Sequence, residues 1–170
     1  WLDRTMTYSS AIFTRPDDDL ESAQRETYRR LASLAQLSAG DHVLEIGCGW
    51  GGFAEYAAGE IGCRVTGLTL SSEQAEYARN RLKQAGVDDR TDIKLLDFRE
   101  EEGSYDKVIS IEMIESIPAN LWQPLFATIS RVLRPGGRAA MQAITIAGDL
   151  YASLLRREDF ISKHIFPGGA

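Results

Sequence analysis

Between His42 and Ile146, short apolar runs alternate with segments of helical periodicity, and this alternation restricts the chain more than any other feature. HVLEIG, CRVTGLTL, DIKLLD, YDKVISIE and RAAMQAITI read as five strands. GGFAEYAAGE, SSEQAEYARNRLKQAG and NLWQPLFATISRVL read as the helices between them. Neighbouring parallel strands need long crossovers, so the pattern predicts an α/β fold: a doubly wound, mostly parallel sheet with helices on both faces. The 170 residues suit one domain, 1–170.

Local signals place the helix ends. RPDDDLESAQRETYRRLASLAQL opens on Asp17 to Asp19, which suit an N-cap and the positive end of the dipole. Leu20, Ala23, Thr27, Leu31, Leu34 and Ala35 follow at helical spacing, and Gly40 is the expected stop. Ser71 and Glu73 start the next strong helix and Gly86 follows its end. EEEG at 100–103 reads as a solvated turn and RPGG at 134–137 as a turn before the last strand. After Ile146 comes only the helix-like LYASLLRREDFISKHI and then FPGGA, so the chain is expected to stop before its sheet is complete. The abrupt opening WLDRTMTYSS reads as the trimmed edge of something longer.

Charge and composition remove several function classes. A net charge of −6 argues against nucleic acid as partner and against long-range attraction to an anionic membrane. Cys48 and Cys63 make no disulfide framework, and with only His42 and His164 beside them no metal site is expected. The apolar runs are too short to span a bilayer and no signal peptide is visible, which makes a reduced cytoplasmic setting the default.

VLEIGCGWGG, at 43–52, is where chemistry is expected, because ligands of a doubly wound sheet bind at the carboxyl ends of its strands. A dinucleotide site wants GxGxxG and a later acid for the ribose; this loop is GxGxGG, and GLTLSSEQ carries no acid at the expected place. Glu45 before the loop would repel a pyrophosphate and attract a cationic ammonium. An acid followed by three alternate glycines is the signature of S-adenosylmethionine sites; a tight strand-to-helix turn is the alternative. Asp97 ends the third strand, where it could accept from an adenine amino group, with Phe98 flanking the ring, or simply cap a turn. Trp50 reads as packing, and both histidines as structural or solvated.

MTYSSAIF, VLEIGCGWGG, VTGLTLSSEQ, VISIEMIES, RPGG, QAITI and DFISKHIFPGG, in that order, resemble the cyclopropane-fatty-acyl-phospholipid synthase and mycolic acid cyclopropane synthase family. The resemblance implies a Rossmann-like class I methyltransferase domain. It implies S-adenosylmethionine as cofactor and an unsaturated acyl lipid, a phospholipid at a membrane surface, as partner. Carried over from the family, Tyr8 and Ser9 would contact the methionine part, while Gly47 and Gly49 let the main chain approach. Thr69, Leu70, Ser71 and Gln74 would hold the nucleoside, Phe98 and Arg99 would pack by adenine, and Ile111 would lie at the sulfonium end. Ring-forming members hold a bicarbonate through a cysteine main chain, a glutamate, a histidine, an isoleucine main chain and a tyrosine. Glu115 and Ile144 match two of these, Ser10 and Gln142 replace the cysteine and histidine, and the tyrosine is expected beyond the end of this chain. Glu115 could also be an ordinary helix N-terminal acid, and ring-forming relatives can carry a small residue where Glu112 stands. The expected activity is methyl transfer to an acyl double bond, closing a cyclopropane or leaving a methyl or methylene branch. A soluble small molecule as substrate, or a cofactor-binding module without turnover, are the alternatives.

Overall fold

A computed structural model describes residues 2–148. Within them β1 His42–Ile46, β2 Arg64–Thr69, β3 Thr91–Leu95, β4 Tyr105–Ile111 and β5 Leu133–Gln142 form one sheet. Its order is β3-β2-β1-β4-β5, with every adjacent pair parallel. α1 Leu20–Ala35 precedes β1, while α2 Gly52–Tyr56, α3 Ser72–Gln84 and α4 Trp122–Val132 lie in three of the crossovers. Strand order reverses between β1 and β4, which opens a crevice above the carboxyl end of β1.

The sheet is covered on both faces, so its strands are apolar almost throughout. Tyr28 and Leu31 of α1, Phe53 of α2, and Ala78 and Leu82 of α3 pack with Val43 and Val65 on one face. Leu125, Ile129 and Val132 of α4 pack with Leu44, Ile46 and Val108 on the other. Side chains alternate along a strand, so β1 turns Val43 and Glu45 toward α1 to α3, and Leu44 and Ile46 toward α4. That parity places an acid inside the first layer, where it is only 2% exposed.

The expected caps form. An Asp19 carboxylate oxygen accepts from the Ser22 amide at 2.8 Å, and the Ser71 hydroxyl accepts from the Gln74 amide at 3.1 Å. The first helix, however, ends at Ala35 and not at Gly40. Gln36 takes the left-handed place (φ 55°), with Leu37 N donating to Ala32 O at 2.9 Å, a Schellman arrangement. Leu37 packs on the core there, and that contact outweighs the preference for glycine. The second predicted helix is one α turn continued as a π turn, Ala57–Ile61.

Two further expectations are corrected. EEEG is not a solvated turn: Glu101 is 2% exposed, beneath Lys94 at 2.9 Å. It also accepts from the Gly103 amide at 2.7 Å and from the Tyr105 hydroxyl at 2.9 Å. Burial alone would raise its pKa; Lys94, Gly103 and Tyr105 outweigh burial and hold the carboxyl below its ordinary value. Its contribution is therefore present above the unfolded carboxylate pKa and lost as pH falls through the lower folded one. Glu101→Ala is expected to cost about 2 kcal/mol in urea unfolding at pH 7, because a lysine and a buried hydroxyl lose their partner. RPGG, for its part, loops out within β5, since Tyr105 pairs with Leu133 but Lys107 pairs with Arg138. The strand then stops at Gln142, short of Ile146. LYASLLRREDFISKHI, FPGGA and His164 lie outside the described residues.

Candidate active site

The loops that leave β1, β2, β3 and β4 converge on a cleft of about 410 Å³ at the strands' carboxyl edge. Tyr8, Gly47, Gly49, Thr69, Leu70, Ser71, Gln74, Asp97, Phe98 and Ile111 all line it. Ten expected residues from five segments thus share one wall. The β1 loop reaches it by tight turning: Gly47, Gly49 and Gly51 have φ of 82°, 51° and 81°. At Gly49 the space is open as well, since an added Cβ would meet nothing nearer than Tyr8 at 3.8 Å.

On the α1 to α3 side the cleft adjoins a small corner of about 50 Å³, lined among others by Tyr8, Ser9, Glu45, Gly47 and Gly49. Glu45 Oε2 is buried there without a hydrogen-bond partner. Burial raises its pKa well above the ordinary carboxylate range, and the Arg81 charge opposes this only in part. Arg81 is itself held by the Glu55 carboxylate and the Thr5 carbonyl. An unpaired buried acid in such a corner invites a cation.

The Thr69–Gln74 wall of the cleft is organised within the protein. Thr69 Oγ1 donates to Gln74 Oε1 at 2.7 Å, and Gln74 Nε2 donates to the Tyr8 hydroxyl at 3.3 Å. Asp97 spends its oxygens locally, on the Arg99 amide at 2.9 Å and the Arg99 guanidinium at 3.0 and 2.8 Å. It is thus a turn cap on the cleft wall. The Arg99 side chain folds back on Asp97 and does not line the cleft, whereas Phe98 is 7% exposed and does. Trp50 packs edge-on against Tyr77, ring centroids 5.3 Å apart.

Beside the cleft, Ser10 and Gln142 meet through Glu112, an acid on the cleft wall that the sequence left undecided, and Ile144 meets Glu115 as a separate pair. Glu112 Oε1 accepts from Ser10 N at 3.0 Å and from Gln142 Nε2 at 2.9 Å, and Gln142 also donates to Ser10 O at 3.1 Å. Glu112 stands at φ 49°, a strained place for a side chain, directly after Ile111. Glu115, in a 3-10 turn and not a helix, takes Ile144 N on Oε1 at 3.1 Å, while its Oε2 is buried and unpaired. Among the residues missed by sequence reasoning, Glu112 had one signal: an acid beside Ile111 in a segment already assigned to the site.

A larger groove of about 640 Å³ runs over the outer side of α1 to α3. Its Arg4–Glu21, Arg25–Glu60 and Arg81–Glu55 pairs neutralise one another, so it offers a ligand no unpaired charge of this set. Among the described residues no cluster could hold a metal ion, and no helix is long and apolar enough to cross a membrane.

The model of one family, described as mycolic acid cyclopropane synthetase, matches residues 1–170. A tuberculostearic acid methyltransferase of Mycobacterium tuberculosis is 42% identical over 99% of this chain and 41% of its own length. The cyclopropane-fatty-acyl-phospholipid synthase of Escherichia coli is 36% identical over 99% of the chain and 42% of its own length. The chain thus spans about two fifths of these curated relatives. Mycolic acid cyclopropane synthase CmaA1, solved complexed with SAH and CTAB, superposes with a TM-score of 0.88 at 28% identity, over 99% of this chain and 62% of that one.

Proposed function

Since the chain belongs to the mycolic acid cyclopropane synthetase family, we propose that it binds S-adenosylmethionine and directs its methyl group onto a double bond of an unsaturated acyl chain in a phospholipid. The observation that carries this reading is the orphaned, buried Glu45 oxygen in the corner under the glycine loop. A dinucleotide would place a pyrophosphate beside that acid; an amino-acid tail places an ammonium there. Tyr8 and Ser9 close the corner, Thr69, Leu70, Ser71 and Gln74 form the nucleoside wall, and Phe98 supplies an apolar face for adenine.

S-adenosylmethionine, when bound, supplies an electrophilic methyl, so most of the protein's task is to position the alkene and exclude water. A double bond that takes up the methyl leaves positive charge on the acyl chain, which carboxylates beside the cleft stabilise and finally relieve by accepting a proton. Glu112 and Glu115 are the acids we assign to this. A bicarbonate does not fit as the base: Ser10 N and the Gln142 amide are engaged by Glu112, and Ile144 N by Glu115. With the cysteine and histidine replaced by Ser10 and Gln142, we assign a branch that stays unsaturated as the product, a methylene group or a methyl on a retained double bond, since proton loss from the cation leaves a double bond.

Labelled S-adenosylmethionine and vesicles of unsaturated phospholipid should yield labelled lipid, and mass and NMR analysis should place one branching carbon at the former double bond. No label in any lipid would remove the reading. Glu115→Gln is expected to lower turnover about a hundredfold or more, the usual worth of a positioned acid or base. S-adenosylhomocysteine affinity should change less than about twofold, because a group acting on the acyl chain alone adds nothing to cofactor binding.

A further inference from the structure

Tyr8 and Ser9 belong to a segment with almost no regular structure, yet they are placed against the cleft and its corner. The cause lies in α1. Gln24 is 1% exposed, an amide among apolar neighbours, where an unpaired polar atom is costly. Its Nε2 donates to Ser9 O at 2.6 Å, while its Oε1 is buried with no partner. One turn further on, the Tyr28 hydroxyl meets Thr7 Oγ1 at 2.6 Å. Residues four apart share a helix face, so one face of α1 grips Thr7 and Ser9 on either side of Tyr8. The second glycine of the GG pair serves the same contact. A Cβ on Gly52 would stand 2.5 Å from the Tyr28 hydroxyl and 2.9 Å from Thr7 Oγ1, so that glycine makes room for the latch.

We infer that Gln24 and Tyr28 are positioning residues: Gln24 from outside the corner, and Tyr28 from its lining, fix the 7–9 strap and so set how tightly the ligand's amino-acid end is held. The inference rests on the S-adenosyl reading above. A strap fixed before binding leaves less ordering to be done on binding, which strengthens only those contacts the strap itself makes. A merely structural role for the two residues would affect all ligands of the cleft alike.

Calorimetry on the wild type, Gln24→Leu and Tyr28→Phe separates these, using S-adenosylhomocysteine and 5′-methylthioadenosine, which lacks the amino-acid end. Each variant is expected to bind S-adenosylhomocysteine about three- to tenfold more weakly, the worth of one hydrogen bond. Methylthioadenosine affinity should stay within about twofold. Equal losses for both ligands, or no loss of S-adenosylhomocysteine affinity in Tyr28→Phe, overturn the inference and leave the S-adenosyl reading standing. Tyr28→Phe keeps the ring packing and decides the matter if Gln24→Leu does not fold. A wild type that binds neither ligand overturns the S-adenosyl reading, and this inference with it.

Discussion

Glu45→Gln should weaken S-adenosylhomocysteine binding about a hundredfold, while the protein without ligand becomes more stable at pH 8. Both results come from one buried acid. Glu45 lacks a partner on Oε2, and burial holds its proton well above the ordinary carboxylate range. An ammonium placed against it supplies the missing partner, and removing half of a buried charge pair costs on the order of 2–5 kcal/mol. The sign with pH follows. A carboxyl whose folded pKa is raised contributes stability that is fully present below the unfolded pKa and is lost as pH rises through the folded value. The free protein is therefore penalised at high pH, and the glutamine variant is not. Ligand binding pulls the carboxyl back to its charged form, so it releases a proton, and affinity rises with pH until Glu45 is already ionised. Calorimetry in buffers of different ionisation enthalpy measures that proton; its absence, or equal affinities for wild type and variant, would refute the role of Glu45.

Glu112→Gly should lower lipid methylation about a hundredfold or more without destabilising the fold. The wild-type backbone holds a glutamate at φ 49°, a cost of about 1 kcal/mol that glycine does not bear. Against this stand the hydrogen bonds to Ser10 N and Gln142, which the glycine loses. Thermal unfolding should then move by no more than a few degrees, whereas turnover loses a carboxylate in the position we assign to charge relief. The freed donors of Ser10 and Gln142 would face a space the size of a small carboxylate, so formate or bicarbonate should restore part of the activity to the variant and none to the wild type. Full activity in Glu112→Gly would remove the assigned role.

What the sequence made legible was what neighbouring residues decide among themselves. Asp19 and Ser71 cap helices because their side chains reach amides three residues on. The glycine loop was readable for the same reason, as was the parallel sheet, whose crossovers follow from strand and helix lengths. What failed to show depends on which side chains the packed fold covers and brings together. Gln36 is left-handed because Leu37 finds the core. Glu101, in the connection between β3 and β4, is buried because Lys94 and Tyr105 of those strands cover it. Glu112 matters because Ser10 and Gln142, 102 and 30 residues away, both donate to it. The latch of Gln24 and Tyr28 was hidden in an ordinary amphipathic pattern, where a buried amide looks like a surface one.

The alternation along β1 also bears on how such a protein can change. His42–Ile46 spans only a few residues, and odd and even positions serve opposite layers. Adding or deleting one residue ahead of Glu45 would turn the acid toward α4 and drive Leu44 or Ile46, respectively, into the polar corner, a swap with no halfway state. The grip on the ligand and the packing of the sheet are thus written in a single parity, so evolution can retune the acid by substitution but cannot move it by small insertions.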